Sequence, residues 1–123
     1  MNLLSRKWTA ILLMAVPFWA NAQKGIELKD PSGKIQLNVM LGNTVTYSVS
    51  HGEDVIIETS PISMTLTDGT VFGKEPRLKK KKYRTENQMI YPPIYRKQSI
   101  KDHFNELTLD FKGGYSLVFR AYE

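Results

Sequence analysis

Alternating apolar and polar residues fill Ile35–Val49, whose sequence is IQLNVMLGNTVTYSV. The apolar residues recur at every second position on both sides of Gly42-Asn43, a pair typical of a short hairpin turn. Successive side chains of a strand point to opposite faces, so alternation of this length indicates half-buried strands of an antiparallel sheet. We therefore predict a β-hairpin here, preceded by a turn at Pro31-Ser32-Gly33.

Similar alternating runs, separated by turn residues, continue along the chain. Asp54–Glu58 is a short β-branched run, and we expect Ser60-Pro61 to interrupt it because proline has no N–H to donate to a sheet. Ile62–Leu66 alternates up to Asp68-Gly69, and Leu107–Phe119 alternates on both sides of a Gly-Gly pair. No window has a sustained helical period. Short strands with frequent turn signals predict an all-β fold, either an antiparallel β-sandwich or a barrel.

The segment Gly73–Lys101 has a different composition. It carries Pro76, Pro92 and Pro93 and has little apolar periodicity. We predict a solvated, partly irregular connection that holds one exposed strand around Tyr83–Ile90.

A run of four lysines, Lys79–Lys82, lies in this segment. Such a run can bind an anionic polymer by releasing counterions, and Tyr83 and Arg84 lie beside it. In an exported β protein it also serves to protect a sheet edge against strand addition. We favour edge protection and expect no nucleic-acid partner, because no stacking platform or nucleic-acid module accompanies the lysines.

The N-terminal residues have the pattern of a secretory signal peptide. Arg6 and Lys7 precede an apolar run, Trp8–Trp19, which is too short to span a bilayer. Ala20-Asn21-Ala22 provides small residues for cleavage, so residues 1–22 would be removed and the mature chain would begin at Gln23. An uncleaved membrane anchor is the alternative. We expect export across the inner membrane to the periplasm, and no membrane association after cleavage.

Charge and composition exclude several kinds of site. Removal of Arg6 and Lys7 with residues 1–22 lowers the formal net charge from +5 to +3, which is only mildly basic, and the chain has no cysteine. Without cysteine there is no thiolate nucleophile, no disulfide and no cysteine-based zinc site. Residues 23–123 are enough for one small domain, which must be stabilised by its core alone.

No metal site is predicted from the two histidines, His51 and His103. A zinc site takes three or four His, Cys or carboxylate ligands at recognisable spacing, which is not seen here. We interpret the residues around His103 as a local turn in which Asp102 or Asn105 caps backbone amides.

No catalytic residue is predicted either. Glycosidase chemistry needs two carboxyl groups about 5 to 9.5 Å apart, one with a raised pKa. The carboxylates are scattered over alternating strands, and we expect them to be outward-facing and solvated. Neither a nucleophile elbow nor a phosphate-binding Gly-rich loop is present. The acids considered are Glu53, Asp54, Glu58, Asp102, Glu106 and Asp110.

The order of short motifs from about Gln23 to Glu123 resembles the N-terminal domain of glycoside hydrolase family 97, a family of α-glucosidases and α-galactosidases. Ser63 stands where the family favours glycine. The motifs that carry the resemblance are Asp30–Lys34 with the strand after it, Tyr47-Ser48-Val49 followed by His51-Gly52, Ser60–Ser63, Asp68-Gly69, Phe104–Leu107 and Phe119–Tyr122.

The resemblance implies a galactose-mutarotase-like super-sandwich of which residues 23–123 are the front portion. Family members continue after the strand matched by Phe119–Tyr122, complete the sandwich, and add a (β/α)8 barrel and a C-terminal β domain. The catalytic carboxylates and calcium ligands are implied to lie in those later parts, so none is assigned to a residue of this chain. The implied ligand class is carbohydrate, and the implied partner is the barrel domain.

Two functions remain open at this point. One is an incomplete, carbohydrate-associated domain without hydrolytic activity of its own, whose apolar sheet face awaits missing polypeptide. We then expect marginal stability or aggregation of the isolated chain. The other is a free-standing secreted β-sandwich that binds a glycan or a protein. In that case Tyr91, Tyr95 and Tyr115 are the contacts to test.

Overall fold

The computed structural model describes residues 25–94 and 99–123. The predicted signal peptide, residues 1–22, and the predicted mature start at Gln23 lie outside these residues. Within the described ranges, no helix is long and apolar enough to cross a membrane. The strands found there are β1 (Ile26–Lys29), β2 (Ile35–Leu41), β3 (Val45–His51), β4 (Asp54–Ile62), β5 (Met64–Thr65), β6 (Val71–Phe72), β7 (Leu78–Ile90), β8 (Ile100–Phe111) and β9 (Tyr115–Tyr122).

The strands form two main antiparallel sheets and a small hairpin. One sheet has the order β1-β2-β3-β4, the other has the order β7-β8-β9, and β5 pairs with β6. The predicted hairpin of Ile35–Val49 is confirmed, with Val39 opposite Tyr47 in the β2–β3 register. The Gly113-Gly114 turn likewise joins β8 to β9, and Leu109 lies opposite Leu117.

The core lies between the two main sheets. Residues of β1, β2 and β3 contribute alternate side chains from one sheet, and β8 contributes them from the other. The predicted antiparallel β-sandwich is therefore confirmed over the described residues, and the barrel alternative is wrong because the sheets remain separate. The buried apolar cluster consists of Ile26, Leu28, Leu37, Val39, Val45, Leu107, Leu109 and Phe111.

The turn between β1 and β2 is built around a buried carboxylate, Asp30. Its Oδ1 accepts a hydrogen bond from the backbone N–H of Ile35 at 2.8 Å, and its Oδ2 accepts from the Ser32 hydroxyl. Burial raises the pKa of the carboxyl, but the bonds from Ser32 and Ile35 outweigh this and leave the pKa below its usual value. Asp30 thereby fixes the predicted turn and the start of β2.

Two local predictions need correction, and one strand was not predicted. Ser60-Pro61 does not interrupt its strand: β4 continues to Ile62 with Pro61 opposite Thr46, because β4 is an edge strand whose outer side needs no N–H. The predicted turn around His103 is wrong, since His103 lies inside β8 opposite Asn87. Ile26–Lys29, which was not predicted as a strand, forms β1.

The predicted irregular character of Gly73–Lys101 is only partly right. The expected strand around Tyr83–Ile90 is present, but β7 begins at Leu78 and includes Lys79–Lys82. It pairs with β8 along most of its length, from Leu78 opposite Phe111 to Ile90 opposite Ile100. The partner strand therefore imposes extended structure on a run whose own composition is polar.

Side chains from the β7-β8-β9 sheet form hydrogen bonds along the outer edge of β1. The Tyr83 hydroxyl donates a hydrogen bond to the Glu27 carbonyl at 2.9 Å. The Asn105 amide donates to the Lys29 carbonyl at 2.8 Å. These carbonyls have no strand neighbour on that side, so the two bonds satisfy them and join the sheets.

Candidate functional site

A cluster of charged and aromatic side chains lies on the outer face of the β7-β8-β9 sheet. Glu106 is opposite Arg84 on β7 and opposite Arg120 on β9. Arg84 donates to both oxygens of the carboxylate, Nε to Oε1 and Nη2 to Oε2, at 3.1 Å each. Arg120 Nε donates to Oε2 at 2.7 Å. We call Arg84, Glu106 and Arg120 the Arg–Glu–Arg cluster.

Hydrogen bonds within the Arg–Glu–Arg cluster favour the charged form of all three side chains. Hydrogen bonds from Arg84 and then from Arg120 lower the pKa of Glu106 from 4.5 to about 2. The same bonds raise the pKa of both guanidinium groups. Glu106 lies on the outer face as expected, but its side chain is only 12% exposed, so the expectation of a solvated acid is wrong for this residue. It is a structural ion-pair member and not an acid with the raised pKa that a general acid needs.

An aromatic ring completes this face. Phe104 lies on the same side of β8 and is buried. The guanidinium carbons of Arg120 and Arg84 lie 4.8 and 5.5 Å from its ring centroid. The Tyr122 ring lies 5.0 Å away, tilted by 49°. These contacts shield the ring from water, so the cluster stabilises the middle of the sheet.

The cluster is not suited to anion binding. Arg84 makes a further ion pair with Glu86 at 3.1 Å. Two guanidinium groups therefore face two carboxylates, and the local charge is balanced. Both arginines already use donors on protein oxygens, which leaves a weak attraction for any external phosphate or sulfate.

A second feature is a stack of three aromatic rings beside a cavity. Tyr115 lies between Phe111 and Phe72, with centroid distances of 4.9 and 4.7 Å and interplanar angles of 11° and 23°. Its hydroxyl accepts a hydrogen bond from the Gly73 N–H at 3.3 Å. Both faces of the Tyr115 ring are thus occupied by protein, so this residue is not a free sugar-stacking platform.

The cavity has a volume of about 310 Å³ and a mainly apolar lining. It lies between β9 and the segment that links β4, β5 and β6. A cavity of this size and chemistry suits an apolar side chain better than a sugar, whose hydroxyls need several polar partners. Its lining residues are Ile62, Ser63, Met64, Phe72, Gly73, Tyr115, Ser116 and Leu117.

The other tyrosines named from the sequence have different positions. Tyr91 follows β7 and is 72% exposed, so its ring is accessible to a ligand. Tyr95 lies outside the described residues. The structure therefore does not bring Tyr91 and Tyr115 together into one site: Tyr91 follows one end of β7, while Tyr115 begins β9 near the other end.

The four lysines lie on the outer edge strand of their sheet. In the β7–β8 register, Lys80 and Lys82 are opposite Asp110 and Thr108 on one face, whereas Lys81 is opposite Leu109 on the other. Lys79 lies at a register shift. The run is exposed along an edge, as edge protection requires, and its charge is divided between two faces instead of forming one patch.

The histidines lie in separate places. His51 ends β3 and is exposed. His103 Nδ1 lies 2.6 Å from Glu123 Oε2, and Lys101 Nζ lies 2.6 Å from the same oxygen. Lys101 first and His103 second lower the pKa of Glu123. Among the described residues, no three acidic or histidine side chains come together as metal ligands.

The other carboxylates considered from the sequence lie far from one another along the strands. Some are exposed, and others accept a hydrogen bond from a neighbouring side chain. Glu53, Asp54 and Glu58 lie exposed at the β3–β4 turn and along β4. Asp102 accepts a hydrogen bond from Gln88 at 3.0 Å, and Asp110 accepts one from Ser116 at 2.6 Å. Over residues 25–94 and 99–123, this arrangement provides no paired carboxylates in a cleft for glycosidic-bond hydrolysis.

The chain is similar to known proteins over most of its length. The chain is 36% identical over 118 residues to the retaining alpha-galactosidase of Bacteroides thetaiotaomicron, which covers 95% of this chain and 18% of that enzyme. A glycoside hydrolase family 97 enzyme from Pseudoalteromonas sp. strain K8, solved in complex with acarbose, superposes with a TM-score of 0.73 at 23% identity. A β-arabinopyranosidase superposes with a TM-score of 0.68 at 24% identity.

The solved relatives share the fold over the greater part of this chain, but the chain is much shorter than they are. The match covers 80% of the chain and 16% of the Pseudoalteromonas enzyme, and 79% and 16% for the β-arabinopyranosidase. The chain therefore spans less than a fifth of its relatives' length. Residues 28–123 match the family model described as Glycosyl-hydrolase 97 N-terminal. The chain thus belongs to the N-terminal domain family of glycoside hydrolase family 97.

Proposed function

We propose that this chain is a carbohydrate-associated β-sandwich domain of an α-glycosidase system and does not hydrolyse glycosides by itself. The family match over residues 28–123 carries the proposal. The scattered carboxylates and the low pKa of Glu106 support the absence of hydrolytic activity in this part. The role would be architectural: a sandwich that packs against a catalytic barrel and helps to shape its sugar site.

A domain exchange tests this role directly. Residues 28–123 replace the corresponding segment of the Bacteroides alpha-galactosidase, and hydrolysis of p-nitrophenyl α-galactoside is measured. We expect activity from the chimera and none from this chain alone, with either the α-galactoside or the α-glucoside. A chimera carrying Leu107→Ala in the core is the matched control and should lose activity through loss of folding.

Two outcomes would contradict the proposal. Turnover by a mass-verified preparation of this chain alone would contradict the non-hydrolytic role. The architectural role would be contradicted if the alpha-galactosidase stayed folded and fully active after deletion of the segment that residues 28–123 replace.

The proposal includes no cofactor for this chain. Calcium ligands are proposed to lie in the later parts of the larger enzyme, as the family resemblance implies. We further propose export to the periplasm after cleavage at Ala22. Mass spectrometry of the exported product should then find Gln23 at its N-terminus.

A free-standing binding module remains the second candidate, and one observation favours it. Tyr91 presents an accessible ring, 72% exposed, three residues before the exposed Ile94 in the sequence. Tyr91→Ala should abolish glycan binding in calorimetric titration if this ring stacks on a sugar, whereas Ile94→Ser, at a neighbouring exposed position without a ring, should not. Equal binding by both variants would remove this candidate.

A further inference from the structure

A groove lies between the two main sheets, where β1 faces the middle of β7 and β8. Its volume is about 220 Å³. Arg84 and Glu106 turn their side chains to the outer face, where they form the Arg–Glu–Arg cluster. The side chains that reach the groove from this sheet are therefore those of Tyr83, Thr85 and Asn105. One run from each strand borders the groove: Glu27–Lys29, Tyr83–Thr85 and Asn105-Glu106.

The strand β1 presents two backbone N–H donors to this groove. The Asp30 N–H donates to the Ile35 carbonyl at 3.0 Å, so the Asp30 backbone points toward β2. Backbone groups alternate in direction along an antiparallel ladder, so those of Glu27 and Lys29 point away from β2. Their carbonyls accept hydrogen bonds from the β7-β8-β9 sheet, which agrees with this direction. Their N–H groups therefore face the groove, and among the described residues no strand pairs with β1 on that side.

The side chains opposite β1 add a further donor and two acceptors. The Thr85 hydroxyl donates to Asn105 Oδ1 at 2.7 Å, so its oxygen is left to accept. Asn105 Nδ2 uses one hydrogen on the Lys29 carbonyl at 2.8 Å and keeps the other. The Tyr83 hydroxyl donates to the Glu27 carbonyl at 2.9 Å, and its oxygen can also accept. Donors and acceptors thus converge on the same small space.

The hydrogen bonds across the groove oppose the entry of a polypeptide strand. A strand added to β1 would need both the N–H and the C=O groups of Glu27 and Lys29. Both carbonyls are already bonded by Tyr83 and Asn105, whose side chains occupy the place of such a strand. The groove therefore suits a small molecule that carries its own hydrogen-bonding groups.

The charge near the groove favours a neutral ligand over an anion. Burial, and then the negative charge of Glu27, raise the pKa of Tyr83, so the Glu27 carboxylate acts on this region. A phosphate or sulfate would be repelled by that carboxylate, whereas a hydroxyl group can both donate and accept. Tyr83 is 50% exposed and offers apolar ring surface, although Lys81 Nζ lies 5.7 Å from the ring centroid and shares it.

We propose that the groove between β1 and the β7–β8 pair binds one neutral sugar residue. The N–H groups of Glu27 and Lys29 and the Asn105 amide donate to the sugar oxygens, and the Thr85 hydroxyl accepts from a sugar hydroxyl. The volume of about 220 Å³ suits a single ring and is below the roughly 300 Å³ of the smallest drug-sized pockets. The choice of a sugar among neutral polar ligands rests on the proposed function in an α-glycosidase system.

Amide resonances test this proposal directly, because two of the proposed donors are backbone N–H groups. The chain as exported, labelled with nitrogen-15, is titrated with methyl α-galactoside, with methyl α-glucoside and, in a separate arm, with inorganic phosphate. We expect at least one glycoside to shift the amides of Glu27 and Lys29 and the side-chain amide of Asn105, with a Kd in the millimolar range. Phosphate should cause no saturable shift at these positions.

A pair of threonine variants tests the hydroxyl contact. Thr85→Val keeps a β-branched side chain in the strand but removes the hydroxyl. Loss of one hydrogen bond should weaken glycoside binding about threefold to tenfold. Thr108→Val is the matched control, because Thr108 lies opposite Lys82 and does not border the groove, so the Kd should not change. The amide spectrum of each variant also reports whether it is folded, and the wild-type titration decides the proposal if a variant is not.

Each outcome of the titration supports or overturns the sugar site. Saturable shifts at Glu27, Lys29 and Asn105 that Thr85→Val weakens support it. The absence of saturable shifts with both glycosides overturns it, and so do shifts with phosphate alone, which would indicate an anion site. Shifts centred on Tyr91 also overturn it and favour the free-standing binding module. Domain exchange measures hydrolysis, whereas this titration measures binding by the chain alone, so the two proposals can fail separately.

Discussion

Gly73 occupies a position where even one added methyl group should be costly. It follows β6 with a φ of 88°, and its N–H donates to the Tyr115 hydroxyl at 3.3 Å. A Cβ on Gly73 would lie 2.3 Å from the Ile62 carbonyl oxygen and 3.2 Å from the Ser63 Cα. Both neighbours are backbone atoms, so relief requires the β4–β5 link itself to move.

Gly69 provides a matched control for Gly73. Its φ is 86°, almost the same, but nothing lies within 4 Å of its added Cβ. The left-handed conformation costs an alanine about 1–2 kcal/mol at either site. Overpacking against fixed atoms adds about 1–3 kcal/mol at Gly73 alone. Gly69→Ala should therefore lower the free energy of unfolding by about 1–2 kcal/mol, and Gly73→Ala by about 2–5 kcal/mol.

Urea denaturation followed by circular dichroism measures both variants. With a slope of about 1–3 kcal/mol per molar, the clash should move the midpoint of Gly73→Ala below that of Gly69→Ala by several tenths of a molar or more. The reasoning is refuted if the two variants lose the same free energy within about 0.5 kcal/mol, because the backbone contact would then carry no cost.

Three further predictions concern charge, core and edge. The pKa of Glu106 is about 2 in the fold against an ordinary value of 4.5, so its stabilisation is present above the higher pKa and is lost as pH falls through the lower one. The melting temperature of Glu106→Gln should therefore change less with pH across that interval than the melting temperature of the wild type. Asp110→Asn, on the same face, is the control and should keep the part of the pH dependence that comes from Glu106. Leu107→Ala should cost about 2–5 kcal/mol in urea denaturation, because the side chain is fully buried, whereas Val118→Ala should cost less than about 0.5 kcal/mol. Glutamine at all four positions of Lys79–Lys82 should increase light scattering on storage without lowering the melting temperature much; unchanged scattering would count against edge protection.

The register of the sheets explains why some expectations from the sequence failed. A partner strand makes Leu78–Ile90 extended in spite of its lysines and polar residues, and β8 likewise holds His103 in a strand. Pro61 is tolerated because β4 lies at an edge. Each outcome depends on which strand lies alongside, and a local window of sequence does not contain that information.

The candidate sites also combine features that local sequence predicts with features that depend on distant residues. The exposure of Tyr91 agrees with a position in a proline-containing loop. The stacking of Tyr115 between Phe72 and Phe111 depends on residues far apart in the chain. The low pKa of Glu106 likewise requires Arg84 and Arg120 from two different strands, so no spacing rule could have found the cluster.

Alternating hydrophobicity alone determined that this chain is all-β, because a two-residue period lets every strand bury one face and hydrate the other. Short ordered motifs also identified the family. Tertiary structure alone decided which edges are closed, which acid is shielded and where the apolar cavity lies. Those properties arise from pairing between distant segments, whose choice depends on the free energy of the whole packed sandwich.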